Sequence, residues 1–226
     1  MLPARARIAL GFLAVALPLA GCGDFADPAS AEGVTRNDLI AELAAQLSGS
    51  ASHTYAATYQ LAGGATGSVT QAQDPPRTAY RYPGGVVLVT TDATANCTRK
   101  VCRITPPPVA AAVPSAAVFA DAQRAGLAPP SVVFALLNAA ALDTDMTVEQ
   151  HDTTIAGRHA TCVDLGDVDN AAAREFSTCI TSDGALGSFT GTLNGKAVDV
   201  ALTNYTNQVA DGAFDPPRGA QMIDRR

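Results

Sequence analysis

Tryptophan is absent from this 226-residue chain, and aromatic residues make up only 5% of it. Alanine, valine and leucine must therefore fill most of any core. Lysine is scarce and the formal charge is −6. An acidic chain does not attract phosphates, so nucleic acid is excluded as an expected partner. No C-x-x-C pair occurs, which argues against a zinc site. No G-x-S-x-G nucleophile elbow is present, because Gly187-Ser188-Phe189-Thr190-Gly191 has the wrong order. There is no H-E-x-x-H and no phosphate-binding glycine loop; Gly63-Gly64 belongs to a hairpin turn. No cofactor and no metal are expected, and the chain does not read as an enzyme.

The N-terminus is more specific. Arg5 and Arg7 form a positive start, and Ile8 to Leu19 is an uncharged, mostly apolar run. That run is short for a membrane span, Pro18 and Gly21 interrupt it, and it suits a signal peptide. It ends in Leu19-Ala20-Gly21-Cys22, the pattern of a bacterial lipobox. Residues 1–21 are thus expected to be removed and Cys22 to carry diacylglycerol and palmitate-type acyl chains. Each buried methylene contributes about 0.8 kcal/mol, and two or more chains anchor stably. Removal of Arg5 and Arg7 takes the mature charge to −8. The expected location is outside the cytoplasm, anchored to the cell membrane. Residues 22–34, small and polar with Pro28, read as a flexible tether, and 35–226 as one domain.

With Cys22 set aside, Cys97, Cys102, Cys162 and Cys179 remain. An even number in an exported chain reads as two disulfides. Of the three possible pairings, Cys97–Cys102 and Cys162–Cys179 close the shortest loops and are favoured.

Thr35-Arg36-Asn37-Asp38 has the form of a helix start, and Leu39, Leu43 and Leu47 then recur every four residues. From His53 the period becomes two. Tyr55, Ala57, Tyr59 and Leu61 share one side of a first strand. Strands at 66–73, 77–82 and 86–91 follow, joined by turns, and 95–104 reads as a fifth strand or a tight hairpin. After Pro106-Pro107-Pro108 two helices are expected, at 115–126 and 132–142. The second is apolar nearly all round, through Val132, Val133, Phe134, Leu136 and Leu137. It is either a deep core helix or the cover of a cavity. Strands resume at 146–155, 158–165, 175–181, 185–190 and 197–205, with Ala156-Gly157, Asp183-Gly184 and Asn194-Gly195 as turns. Ala213-Phe214-Asp215-Pro216-Pro217 is expected to lay Phe214 against an end of the sheet.

The expected fold class is α+β: a single curled antiparallel sheet of about ten strands, a half-barrel, with helices on its concave face. The lipobox resembles that of actinobacterial lipoproteins. So do Thr154-Ile155-Ala156-Gly157-Arg158, Thr181-Ser182-Asp183-Gly184, Asn204-Tyr205 and Ala213 to Pro217. These are similar in turn to the lipoprotein-carrier superfamily of half-barrels, which includes periplasmic lipoprotein chaperones and mycobacterial lipid-binding lipoproteins. The resemblance implies an apolar hollow and a lipid ligand.

Tyr55, Tyr59, Phe134 and Leu137 are the candidate ligand-binding residues. Tyr55 and Tyr59, like Tyr80 and Tyr82, share a strand face; they either pack the core or ring a pocket mouth. His151-Asp152 and His159 flank a hairpin turn and offer too few ligands for a metal. Asp164, Asp167 and Asp169 lack the closing Glu of a calcium loop and read as a solvated turn. The leading expectation is a monomeric, membrane-anchored binding module for a lipid or other apolar ligand. The alternative is a regulatory lipoprotein with a filled core that binds another envelope protein. A hydrolase is the third.

Overall fold

The structure, a computed structural model, describes residues 28–107 and 116–226. Residues 1–27, which hold the expected signal peptide and Cys22, lie outside the described residues. Among the described residues three α-helices, α1 (Pro28–Gly49), α2 (Ala120–Arg124) and α3 (Pro130–Ala141), accompany twelve strands. Helix α1 begins at Pro28 rather than Thr35, so it takes in the second half of the segment read as tether.

The first meander contains β1 (Tyr55–Leu61), β2 (Thr66–Gln73), β3 (Pro76–Tyr82), β4 (Gly85–Thr90), β5 (Thr94–Thr98) and β6 (Val101–Thr105). The second contains β7 (Thr147–Ile155), β8 (Arg158–Gly166), β9 (Phe176–Thr181), β10 (Leu186–Leu193) and β11 (Lys196–Thr206). A last strand, β12 (Gln221–Asp224), follows the proline-rich tail. All twelve form one open, curled sheet in the order β12-β6-β5-β4-β3-β2-β1-β11-β10-β9-β8-β7. The meanders join where β1 runs antiparallel to β11.

Twelve strands replace the expected ten for two reasons. Residues 95–104 fold into the hairpin β5–β6, because Thr98 Oγ1 receives the amides of Lys100 and Val101 and closes a tight turn. Strand β12 is too short to show alternation in the sequence. It lies parallel to β6, fixed at its ends by Gln221 N–H to Lys100 C=O (2.8 Å) and Arg225 N–H to Ile104 C=O (2.9 Å).

On most strands, though not on β7 or β12, the period-two sequence puts one face into the core. On the concave side this face carries Ala57, Tyr59, Val69, Val87, Val163, Ile180, Val198 and Val200, all buried. Ile40, Leu43 and Leu47 of α1 and Val133, Leu136 and Leu137 of α3 complete the same cluster. The stripe Leu39–Leu47 thus forms a helix because its buried positions recur at helical spacing. After Gly49, Ser50 Oγ donates to Leu47 C=O (2.7 Å), and the buried Gln71 amide donates to the carbonyls of Ser50, Ala51 and His53. That amide holds the turn that follows α1 against β2. Gly184, at φ +77°, brings the β9–β10 turn against α1: a Cβ there would lie 2.5 Å from the Gln46 carbonyl oxygen.

The convex face holds a second apolar cluster, Ala79, Val86, Leu88, Cys97 and Cys102, against which Phe214 and Ala220 pack. Phe214 therefore lies over the outer face rather than at an end of the sheet. Arg77 stacks on its ring at 4.4 Å, and Arg81 donates to the carbonyls of Ala213 and Asp215, each at 2.9 Å. Prolines kept the tail out of the sheet; two arginines on β3 decided where it docks.

Candidate functional site

Strand β1 directs Tyr55 and Tyr59 into the concave core, where they are 2% and 1% exposed. Leu137 is fully buried in the same cluster, and Phe134 packs against it, partly buried. The four candidate ligand residues thus border one continuous apolar region between the sheet and α3. In the structure this region is occupied by the chain's own side chains: Phe119, Leu127 and Phe189 are also fully buried there. Tyr55, Tyr59 and Tyr80 are buried within this cluster.

Their polar ends decide the chemistry. Tyr80 meets Phe119 edge-on, with ring centroids 4.8 Å apart. Burial pushes the Tyr55 phenol up to about 12, partly offset by a hydrogen bond with Ser50 and helped by nearby Tyr205. Burial raises Tyr80 further and holds half-buried Tyr82 at about 12. Tyr59 is also raised by burial, and its hydroxyl has no hydrogen-bond partner. An unpaired hydroxyl in an apolar interior costs about 1–3 kcal/mol. At the margin of the cluster Tyr205 stacks on Tyr55, and Arg158 lies over the Tyr205 ring at 4.3 Å while pairing with Asp183. The strand period gives no sign of this group, because Arg158 and Tyr205 are far apart in the chain and meet only when β8 and β11 enter one sheet.

The cysteines pair as Cys97–Cys102 and Cys162–Cys179. Each joins directly opposite positions of neighbouring strands. His151, opposite Cys162 on β7, offers a ring nitrogen within 4.8 Å of both sulfurs of the second pair. The disulfide removes both thiolates, so this trio is no metal site as it stands. The histidines do not converge, because His151 and His159 fall on opposite faces of the β7–β8 hairpin. His151 approaches the partly exposed Asp164 (3.7 Å), and the exposed His159 approaches the exposed Asp152 (4.0 Å).

The acidic loop after β8 has a structural role. Asp143, after α3, accepts the amides of Asp169 (2.6 Å) and Asp145 (2.9 Å), and these donors hold its carboxyl below the usual range. The carboxylate thereby clips the α3–β7 connection to the β8–β9 loop. A broad open groove of about 740 Å³ crosses the convex side of β7–β10, lined by Glu149, Asp164, Arg174, Glu175, Ser177 and Thr190 among others. A smaller groove between α1 and β7 is lined by Arg36, Asp38, Leu39, Glu42, Val148 and Gln150.

No family model matches the chain, and no curated protein matches it. Solved structures with a similar course of chain include a conserved protein from Thermus thermophilus, at TM-score 0.47 and 13% identity. That match covers 82% of this chain and 98% of the other. MucB matches at TM-score 0.46 and 13% identity over 82% of this chain and 66% of its own, so the chain spans about two thirds of MucB. LprF from Mycobacterium bovis matches at TM-score 0.37 and 12% identity, over 81% and 98%. These neighbours assign no function to the chain. No helix among the described residues is long and apolar enough to cross a membrane.

Proposed function

We propose that this is an extracytoplasmic binding protein, tethered to the membrane through Cys22 and without catalytic activity. Its curled sheet would take a lipid or similar apolar ligand between the concave face and helices α1 and α3. The observation that carries the reading is the Tyr59 hydroxyl, buried without a partner at the heart of an apolar cluster. An ester, carbonyl or hydroxyl of a lipid satisfies that group, while Leu137, Phe134 and their neighbours suit an acyl chain. The filled core is then the unliganded form. Helix α3 is apolar over most of its surface, so its outward movement opens space that an acyl chain refills with equivalent contacts.

Tyr59→Phe separates this from ordinary packing. It keeps the ring and removes the unpaired hydroxyl, so the unliganded protein gains about 1 kcal/mol of stability. Binding of the fluorescent fatty acid cis-parinaric acid weakens severalfold in the same variant. Equal binding by both proteins, or none by either, contradicts the reading.

The filled hollow also supports a second reading, in which the protein recognises another envelope protein through its surface. The two separate by whether lipid or protein copurifies with the chain.

A further inference from the structure

Strand β7 is an edge of the sheet. It pairs with β8 on one side, and no strand among the described residues lies on the other. Its nine residues are almost all exposed. The opposite edge, by contrast, is the four-residue β12. A long exposed edge is a template for another strand unless something blocks it.

The register fixes which backbone groups are free. Ala156 and Gly157 form the β7–β8 turn with φ 50° and 75°, a two-residue turn of type I′. Ile155 and Arg158, which flank it, therefore exchange hydrogen bonds, and every second pair does the same down the ladder. The N–H and C=O groups of Val148, Gln150, Asp152 and Thr154 consequently point away from β8.

Side chains beside this edge differ between the faces. On the concave side, Val148 and Leu39 of α1 form the apolar part of the α1–β7 groove, about 430 Å³ in volume. On the convex side, Glu149 and Asp164 stand opposite one another across β7 and β8. A strand laid along β7 would send alternate side chains to these two environments.

We propose that the outer edge of β7 docks an extended protein segment that alternates apolar and basic residues, bound by strand addition. Its apolar residues enter the groove beside Leu39 and Val148, and its basic residues meet Glu149 and Asp164. Charge complementarity selects this occupant over a second copy of the chain, because self-pairing would bring the acids of two copies together, Glu149 and Asp164 on the convex face and Asp152 on the concave face. The site needs no open hollow and no lipid, so it stands apart from the ligand reading.

The test uses the full chain in detergent with the peptide acetyl-(Val-Lys)4-amide. Amide hydrogen exchange reads the outcome residue by residue. Protection is expected to rise at Val148, Gln150, Asp152 and Thr154, and to stay unchanged at Glu149, His151 and Thr153, which already bond to β8. Glu149→Lys combined with Asp164→Lys should weaken the peptide at least tenfold, and acetyl-(Val-Glu)4-amide should not bind. Gln150→Pro removes an outward N–H and should abolish binding; the charge variants, which leave the ladder untouched, keep the test decisive if that protein fails to fold. Protection elsewhere, affinity indifferent to charge reversal, or peptide-independent dimers protected along β7 would overturn the proposal.

Discussion

Tyr55 and Tyr205 stack with ring centroids 5.3 Å apart and planes 14° apart, across the seam where β1 and β11 join the two meanders. This seam makes one sheet out of two sequence blocks separated by the helices. Aromatic pairs of this kind contribute about 0.5–1.5 kcal/mol beyond the area they bury. Tyr205→Ala is expected to lose roughly 1–2 kcal/mol of stability by chemical denaturation. Arg158→Ala, partly buried at the margin of the core, should lose about 1 kcal/mol. A double-mutant cycle should show coupling between the two.

Alkali should unfold the protein from the inside. Burial raises the phenols of Tyr55, Tyr59, Tyr80 and Tyr82 above their ordinary value near 10. Above pH 10 the unfolded chain releases protons that the folded chain retains. The stability from these groups is therefore complete below pH 10 and falls as pH rises toward 12. Absorbance of tyrosinate near 295 nm should rise together with loss of far-ultraviolet dichroism. Ionisation of all the tyrosines near pH 10 in a folded protein would contradict the burial.

Acid acts through Asp143. Its carboxyl is held low by the amides of Asp169 and Asp145, so its contribution is complete above the ordinary carboxylate range and disappears as pH falls through its lowered value. Asp143→Asn should make the loop after β8 exchange its amides faster at neutral pH. The difference from the parent protein should shrink as pH falls through that lowered value. A difference that does not change with pH across the acid range would argue against the clip.

The two disulfides close loops of different size, with sequence separations of 5 and 17. Loop-closure entropy predicts about 2 kcal/mol for the first and about 3 kcal/mol for the second. Replacing Cys162 and Cys179 by alanine should thus cost more than replacing Cys97 and Cys102. Thermal melts of the two double variants, each with the other bridge intact, check the order.

Gly184→Ala is expected to destabilise by about 1–3 kcal/mol, because it places a Cβ at positive φ and drives it into the Gln46 carbonyl. Gly195→Ala, also at positive φ but with open space around it, should cost less. Equal losses would show that conformation alone, and not the approach of the turn to α1, sets the effect.

The strands and their turns were legible because period-two burial and paired turn residues are local signals. Leu39 to Leu47 was legible as a helix from its four-residue recurrence, and Val132 to Leu137 from an apolar run after Pro129-Pro130, which are local signals too. The join of β1 to β11 was not, since no local pattern reports a pairing across the length of the chain. Strand β12 and the docking of Phe214 escaped because they depend on Lys100, Ile104, Arg77 and Arg81, which are distant in sequence. At the candidate site, the period placed Tyr55 and Tyr59 on one face. It left open whether that face was filled, because filling depends on how closely α1 and α3 approach the sheet. The missing partner of the Tyr59 hydroxyl is likewise a property of the packed core alone.

The most direct test of the ligand reading is native mass spectrometry of the chain purified from the membranes of an exporting bacterium, with its lipids extracted in parallel. The account predicts one lipid bound per chain, and a reduced bound fraction in Tyr59→Phe. A mass of the polypeptide and its anchor alone, with no uptake of added phospholipid or fatty acid, would contradict it.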